Sequence, residues 1–300
     1  MDPTRIARKG DATDAIGNPT RTVREQSPVP VASEFDLLCE RCGYSIEGLD
    51  PAARCPECGS PIAESLPQRR AGTPAQRDPS LRSLLSAAWM AVTNRRALWE
   101  QVRVGDPADR RTGRILLLIA GALVAGHLVV LYAVDISDLW DRRFRLSTFA
   151  EVAIPMTFLV APSLVFLVWM QLAVLTWLEW RGIQLFGRLH GRRITPAIAT
   201  TIVSHAAAGW LVGAALLTPA WLLGRALAAA ADHVAILRWE LVFVLPTLLP
   251  TGAGLLGLLL FEIITYTGVL RLRYANRAPP ADDTSGGATD ACATGEEPAP

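Results

Sequence analysis

Apolar side chains are concentrated in the middle of this 300-residue chain, between polar segments at both ends. Four apolar runs cover residues 115–134, 152–178, 198–223 and 241–269. Each run reaches the roughly 20 residues that a helix needs to cross the hydrocarbon layer of a bilayer. The pattern predicts an all-α transmembrane helical bundle of four spans in residues 115–270. Pro246 and Pro250 keep one alternative open, three spans with the third or fourth run re-entrant, although proline is tolerated in spanning helices.

An amphipathic segment, residues 80–104, precedes the first run. Its apolar residues recur at helical spacing and fall on one face: Leu81, Leu84, Leu85, Ala88, Trp89 and Val92. Ser80 can cap the helix, and several arginines accompany Trp89 and Trp99. A basic amphipathic segment beside a span is typical of a helix that lies in the membrane interface. The alternative is an ordinary soluble helix packed on the cysteine-containing module of residues 39–62.

The arginines predict the orientation of the spans. Thirteen flank the spans on one side, in residues 95–114 before the first run, 181–193 between the second and third, and 271–277 after the fourth, whereas five lie in the two loops on the other side. Because cytoplasmic loops are enriched in basic residues, both termini are predicted to be cytoplasmic in a multi-pass protein of the cell (inner) membrane. The lipid bilayer is therefore the first expected partner.

Four of the five cysteines form two CxxCG pairs in residues 39–62, separated by twelve residues. Two such pairs can place four thiolates around one tetrahedral ion, with Cys39, Cys42, Cys55 and Cys58 as the ligands. Gly43 and Gly59 follow the two pairs and can adopt the positive φ that lets the backbone curl round a metal. Four thiolates leave no open coordination position, so the predicted site is structural.

Other uses of these thiols are less compatible with the sequence. Disulfides are disfavoured in the reducing compartment that the arginines predict. A CxxC redox motif requires one pair and a βαβ context, which is absent. Zinc is the preferred ion, and iron stays open because both metals accept tetrahedral sulfur.

The segment Cys39–Ile62, with its CERCG and CPECG knuckles, resembles a zinc ribbon of the rubredoxin-knuckle type. The resemblance implies a small β-type module, bound Zn²⁺ and no particular activity. The order of ribbon, polar linker (residues 63–79) and helical membrane domain resembles bacterial polytopic zinc-ribbon membrane proteins of unassigned function. More weakly, the amphipathic helix and compact spans resemble membrane proteins of the Yip family.

Charge argues against nucleic-acid binding. The whole chain carries a formal net charge of +1. Within residues 39–62, four acidic residues outnumber Arg41 and Arg54. A nucleic-acid surface should be basic in order to neutralise phosphates. A protein partner that docks on the ribbon is therefore predicted instead.

Ionisable residues inside the spans are candidate functional groups because burying them in lipid is costly. His205 and Glu262 lie at similar depths in the third and fourth runs, so they could pair in the bundle interior. Such a pair could relay protons, bind a metal or act as an acid and base. The alternative is a polar contact between helices, or for Glu262 a side chain that reaches the interface near Arg271. His127 in the first run is a weaker candidate.

Small residues predict close helix packing in the third and fourth runs. Gly209 and Gly213 form a GxxxG pair that could also support a homo-oligomer. Gly252, Gly254 and Gly257 match the letters of a dinucleotide fingerprint, but they lie in an apolar run without the strand that this motif requires. Packing is the better interpretation.

No catalytic motif such as HExxH or GxSxG is present. The chain is predicted to be a non-enzymatic membrane scaffold or interaction protein, with a small transporter or membrane enzyme that uses His205 and Glu262 as the alternative. Residues 1–38 and 276–300 are polar and poor in large apolar side chains, so both are predicted to be disordered. Cys292 lies in the second of these segments.

Overall fold

The structure is a computed structural model that describes the backbone of residues 36–140, 146–231 and 238–277, and the side chains of 36–131, 162–230 and 244–277. The segments predicted to be disordered, 1–38 and 276–300, fall almost entirely outside these ranges. In the part that is described, two short 3-10 helices at Ile62–Ser65 and Pro67–Arg69 precede the α-helices. The α-helices are α1 (Pro74–Arg77), α2 (Leu81–Thr93), α3 (Arg95–Gln101), α4 (Pro107–Trp140), α5 (Leu146–Leu189), α6 (Pro196–Ala206), α7 (Ala208–Ala231) and α8 (Arg238–Leu272).

Within the described residues, four helical segments are long and apolar enough to cross a membrane. They are Pro107–Leu131, Pro162–Leu189, Pro196–Ala230 and Val244–Leu272. Each overlaps one of the four predicted runs, so the prediction of four helices long and apolar enough to span a membrane is confirmed. The third segment joins α6 and α7 through Ala207, where the helix is interrupted for one residue. α8 passes through Pro246 and Pro250 without ending.

Large apolar side chains cover the outside of these helices. Phe166 is 58% exposed, Leu248 58% and Leu255 61%. A soluble monomer rarely exposes contiguous apolar surface on this scale, because water makes such exposure unfavourable. The exposure follows the candidate spans, which fits a protein whose helices face lipid.

Glycines allow α7 and α8 to approach closely. A Cβ atom added to Gly209 would lie 2.3 Å from the backbone nitrogen of Phe261, and one added to Gly257 would lie 2.7 Å from the Cα of Gly213. The predicted packing role therefore applies to Gly209, Gly213 and Gly257. Both glycines of the GxxxG pair contact α8 of the same chain, so self-association through them would require this contact to open.

We expect Gly257→Ala to destabilise the bundle, because the new methyl group must push α7 and α8 apart. Overpacking of this kind costs about 1–3 kcal/mol. Gly254→Ala is the matched control: a Cβ there meets nothing within 4 Å, and alanine favours helix over glycine by up to about 1 kcal/mol. Thermal unfolding in detergent should therefore shift in opposite directions for the two variants. Equal shifts would contradict the close α7–α8 approach.

The amphipathic segment 80–104 forms two helices rather than one. Asn94 ends α2 and caps α3, with its side chain accepting a hydrogen bond from the Ala97 backbone at 3.2 Å. Trp89 is 70% exposed, whereas Trp99 is 1% exposed in the same core as α6 and α8. The two tryptophans therefore face different surroundings, and placement of the exposed face in the membrane interface stays a prediction.

The prediction of a β-type ribbon is not confirmed. Residues 36–62 contain two isolated antiparallel bridges, Leu38 with Ser45 and Arg54 with Pro61, and no strand. Each bridge lies beside one tight turn, and the chain turns again after it, so the pairing does not extend into a strand. Pro61 has no backbone N–H, so it cannot donate a further ladder bond.

Candidate metal centre

Two turns of the same construction carry the four cysteines. In the first, Gly43 donates its backbone N–H to the Cys39 carbonyl at 2.8 Å, and Cys39 donates to the Tyr44 carbonyl at 2.8 Å. In the second, Gly59 donates to Cys55 at 2.8 Å, and Cys55 donates to the carbonyl of the residue after Gly59 at 2.8 Å. The glycines have φ values of +81° and +70°, a conformation in which a Cβ is strained. This explains why a glycine follows the second cysteine in both CxxCG motifs.

The repeat extends beyond the turns, at an offset of sixteen residues. Ile46 donates to the Leu37 carbonyl at 2.9 Å, and Ile62 donates to the Ala53 carbonyl at 3.1 Å. The small core beneath the thiols consists of equivalent residues from the two turns: Cys39, Ile46, Cys55 and Ile62. The module is thus two copies of one turn packed on each other. We call residues 37–62 the ribbon.

The four sulfurs fit a tetrahedral metal site. The Sγ atoms of Cys39 and Cys58 are 3.6 Å apart, as are those of Cys42 and Cys55. All four lie within 4.8 Å of one another. A tetrahedron with metal–sulfur bonds of about 2.3 Å has edges of about 3.8 Å, so the two short separations are close to what an ion requires. The cluster is therefore a candidate metal site with four thiolate ligands and no open position.

Local hydrogen bonds favour the thiolate form of Cys58. The Ser60 hydroxyl lies 3.3 Å from its Sγ. Hydrogen bonds from the side chain and then the backbone of Ser60 lower the pKa of the Cys58 thiol to about 6. Hydrogen bonds to sulfur stabilise the charged form that ligates metal, whereas burial raises the pKa of the Cys42 thiol in the same cluster to about 12.

One buried asparagine connects the ribbon to the membrane domain. Asn276, four residues after the end of α8, accepts from the Leu38 backbone at 2.9 Å through its side-chain oxygen. Its side-chain nitrogen donates to the Leu38 and Ser65 carbonyls, both at 2.7 Å. The whole Asn276 residue is 1% exposed. The side-chain amide thus replaces bonds that a second strand would have provided.

Two arginines add to this connection. Arg193, in the loop between α5 and α6, donates to the Asp36 carbonyl at 2.6 Å and to the Asn276 side-chain oxygen at 3.1 Å. Arg70 forms a 2.8 Å ion pair with Glu40 of the ribbon and donates to the Trp99 carbonyl at 2.7 Å. Arg70 is buried, so its charge requires these partners. The ribbon is therefore held to the ends of several membrane helices.

Residues 63–79, predicted to be a linker, make specific contacts. The Ser65 hydroxyl accepts from the Glu40 backbone at 3.1 Å, and Gly72 donates to the Gln101 carbonyl at 2.8 Å. Thr73 caps α1 through a capping box with Gln76. These bonds position the segment between the ribbon and α3.

His205 lies in a buried polar network on the same side of the bundle as the ribbon. Its Nε2 is 3.4 Å from the Asp109 carboxylate, an ion-pair separation without the geometry of a hydrogen bond. Asp109 accepts from the Thr201 hydroxyl at 2.6 Å and from the Gln76 side chain at 2.8 Å. His205, Asp109 and Thr201 are each at most 1% exposed. The network joins α4, α6 and α1.

Sequence reasoning missed Asp109 because it lies in the polar stretch just before the first apolar run. The available signal was its position in the first turn of a helix, where acidic residues are favoured. That signal indicates a helix start and does not reveal a buried partner 92 residues away.

Glu262 lies elsewhere. It is exposed on α8 and lines a cavity with Glu179 of α5. Between described residues, no hydrogen bond or ion pair joins His205 to Glu262. His127 is 3.3 Å from the Thr218 hydroxyl and packs edge-on against Trp221, which is a polar contact between α4 and α7.

Comparison with known proteins gives no match: no protein-family model, no curated protein and no solved structure matches the chain. The resemblances to zinc-ribbon membrane proteins and to the Yip family therefore have no support beyond the residues that carry them.

Proposed function

We propose that this chain is an integral membrane scaffold whose ribbon binds a structural Zn²⁺ and presents a docking surface for a protein partner. The observation that carries the proposal is the four-thiol cluster itself, built from two equivalent turns and fixed to the membrane domain by Asn276. A closed four-thiolate site supplies folding energy and no catalytic position.

The ribbon and the arginine-rich helix ends lie together, which supports a common cytoplasmic location for both termini in the inner membrane. Cys292 offers a native test of the orientation. A membrane-impermeant maleimide should label it only after the cells are permeabilised. Labelling in intact cells would place the tail outside and contradict the proposed reducing environment of the thiols.

The exposed tip of the ribbon fits a partner with apolar and basic groups. Tyr44 is 41% exposed and Leu49 39% exposed, and Glu47 and Asp50 stand beside Leu49 in an exposed turn. Exposed aromatic and aliphatic side chains with a charged border are typical of the centre and rim of a binding surface.

A photo-crosslinking amino acid at Leu49 tests the docking role. We expect a discrete crosslinked product in cells, absent when the probe replaces exposed Gln68 and lost in a Cys55→Ser/Cys58→Ser background. Protein levels in the membrane provide the control for loss of the chain itself. Equal products at both probe positions, or products that persist without the cysteines, would contradict docking through a metal-folded ribbon.

The alternative, a small transporter or membrane enzyme that uses His205 and Glu262, has weaker support. The two groups have separate surroundings, one buried against Asp109 and the other exposed on α8. A shared proton or ligand would require both to reach one place.

A further inference from the structure

A cavity with a mixed polar and apolar lining separates the ends of α5 and α8 on the ribbon side of the bundle. Its volume is about 360 Å³, near the lower end of the range for small-molecule sites. Glu179, Glu262, Thr265, Tyr266 and Arg192 line it together with apolar residues. None of these side chains takes part in the ribbon or in the network around Asp109.

Aromatic residues place the cavity at the level of lipid headgroups. Trp177 and Trp180 flank Glu179 along α5, and the Arg181 guanidinium stacks on both rings at 5.5 and 5.2 Å from their centroids. Tyr266 on α8 is 64% exposed. Tryptophan and tyrosine are enriched where the hydrocarbon layer meets the headgroups. A ligand from this layer can therefore reach the cavity from the bilayer.

The lining supplies hydrogen-bond acceptors to one part of a ligand. Glu179 and Glu262 contribute two carboxylates. The ring of His190 is 2.8 Å from the Phe186 carbonyl through Nδ1, so its neutral form donates there and presents Nε2 as an acceptor. Thr265 is 2% exposed, and its hydroxyl has no hydrogen-bond partner among the described residues. A buried hydroxyl without a partner is unfavourable, and this one can accept a hydrogen bond from a ligand, as the carboxylates and the His190 ring can.

Arg192 provides the one cationic side chain of the lining. A guanidinium matches the geometry of phosphate oxygens. A lining that holds both acceptors and a guanidinium is complementary to a molecule with an ammonium group and a phosphate joined by a short link. Because a quaternary ammonium has no N–H to donate, the acceptors favour a primary amine.

We propose that this cavity binds the headgroup of an ethanolamine phospholipid, with the ammonium held by Glu179 and Glu262 and the phosphate by Arg192. The lipid would fill the gap between α5 and α8 at the membrane surface. This site is independent of the metal, so its failure would leave the proposed ribbon function intact.

Native mass spectrometry of the purified full chain, titrated with lipids of matched acyl chains, tests the proposal. We expect phosphatidylethanolamine to bind more tightly than phosphatidylcholine or phosphatidylglycerol. Glu179→Gln and Glu262→Gln should each weaken phosphatidylethanolamine binding by about tenfold, the loss expected for one charge-assisted hydrogen bond. Glu100→Gln, at an exposed carboxylate paired with Arg96 outside the cavity, is the matched control and should bind as the unmodified chain does.

Thr265→Val and a soluble competitor complete the test. The valine variant should keep its thermal stability while losing part of the preference for ethanolamine over choline headgroups. Equal binding of the three lipids, or unchanged binding in both glutamine variants, would overturn the proposal. Soluble phosphoethanolamine that binds as tightly as the lipid would overturn the membrane as the source of the ligand.

Discussion

Purified protein should contain one zinc ion per chain, and the Cys55→Ser/Cys58→Ser variant should contain none by elemental analysis. Each substitution removes a thiolate from a cluster whose sulfurs lie within 4.8 Å of one another. The ribbon has a very small core, and a structural zinc ion contributes on the order of 10 kcal/mol to folding such modules. Limited proteolysis should therefore cleave residues 37–62 in the variant and spare the helices.

Cys292→Ser is the matched control for that experiment, because it removes a thiol outside the cluster. It should leave both metal content and protease resistance unchanged. Strong chelation of the unmodified protein should reproduce the cleavage seen in the double variant. Full protease resistance of a metal-free ribbon would contradict the structural role, and one iron per chain would replace zinc while keeping the site.

Asn276→Ala should release the ribbon from the membrane domain without unfolding its metal site. The substitution leaves the Leu38 N–H and the Leu38 and Ser65 carbonyls without the partners that they have at 2.7–2.9 Å. Each buried group left without a partner costs about 1–3 kcal/mol. Hydrogen exchange near Leu38 should therefore accelerate by about a hundredfold or more, since each 1.4 kcal/mol corresponds to about tenfold.

Two further variants separate this effect from a general loss of stability. Asn276→Asp keeps the size of the side chain but replaces the donor that faces two carbonyls, so it should be at least as disruptive as alanine. Gln68→Ala, at an exposed polar side chain between the ribbon and α1, should not change the exchange. Metal content should stay at one ion per chain in all three. Unchanged exchange in Asn276→Ala would show that the asparagine does not hold the ribbon.

The local parts of the structure were predictable from the sequence. The four apolar runs predicted the four long helices, because a bilayer constrains both the length and the composition of a helix that crosses it. The cysteine spacing predicted the thiol cluster, because the ligands of one ion must lie close together. The glycine after each cysteine pair predicted the turns. Gly257 was correctly assigned to packing, since it lies inside an apolar run where a phosphate-binding loop has no place.

Long-range contacts were not predictable in the same way. The polar segment 63–79 has no periodicity, yet Ser65 and Gly72 bond to residues far along the chain. The similar depths of His205 and Glu262 made a pairing between them possible, but depth does not specify the direction in which a side chain points. A helix places residues at different angles around its axis, and His205 faces Asp109 while Glu262 lines the cavity beside Glu179.

The β-type ribbon was inferred from resemblance, and the structure shows how little backbone pairing two such turns require. A single bridge beside each turn, with one asparagine side chain supplying further bonds, serves in place of strands.

The bond between Leu38 and Asn276 spans 238 residues of sequence, which sets an order of events during synthesis. Every hydrogen bond within the two cysteine turns can form soon after residue 62 leaves the ribosome. The surface of the membrane domain that they contact is complete only after α8 has been synthesised. At typical translation speeds this comes on the order of ten seconds or more after the ribbon is made. Throughout that interval the newly made ribbon is exposed to chaperones and proteases, and early capture of its ion is what would protect it.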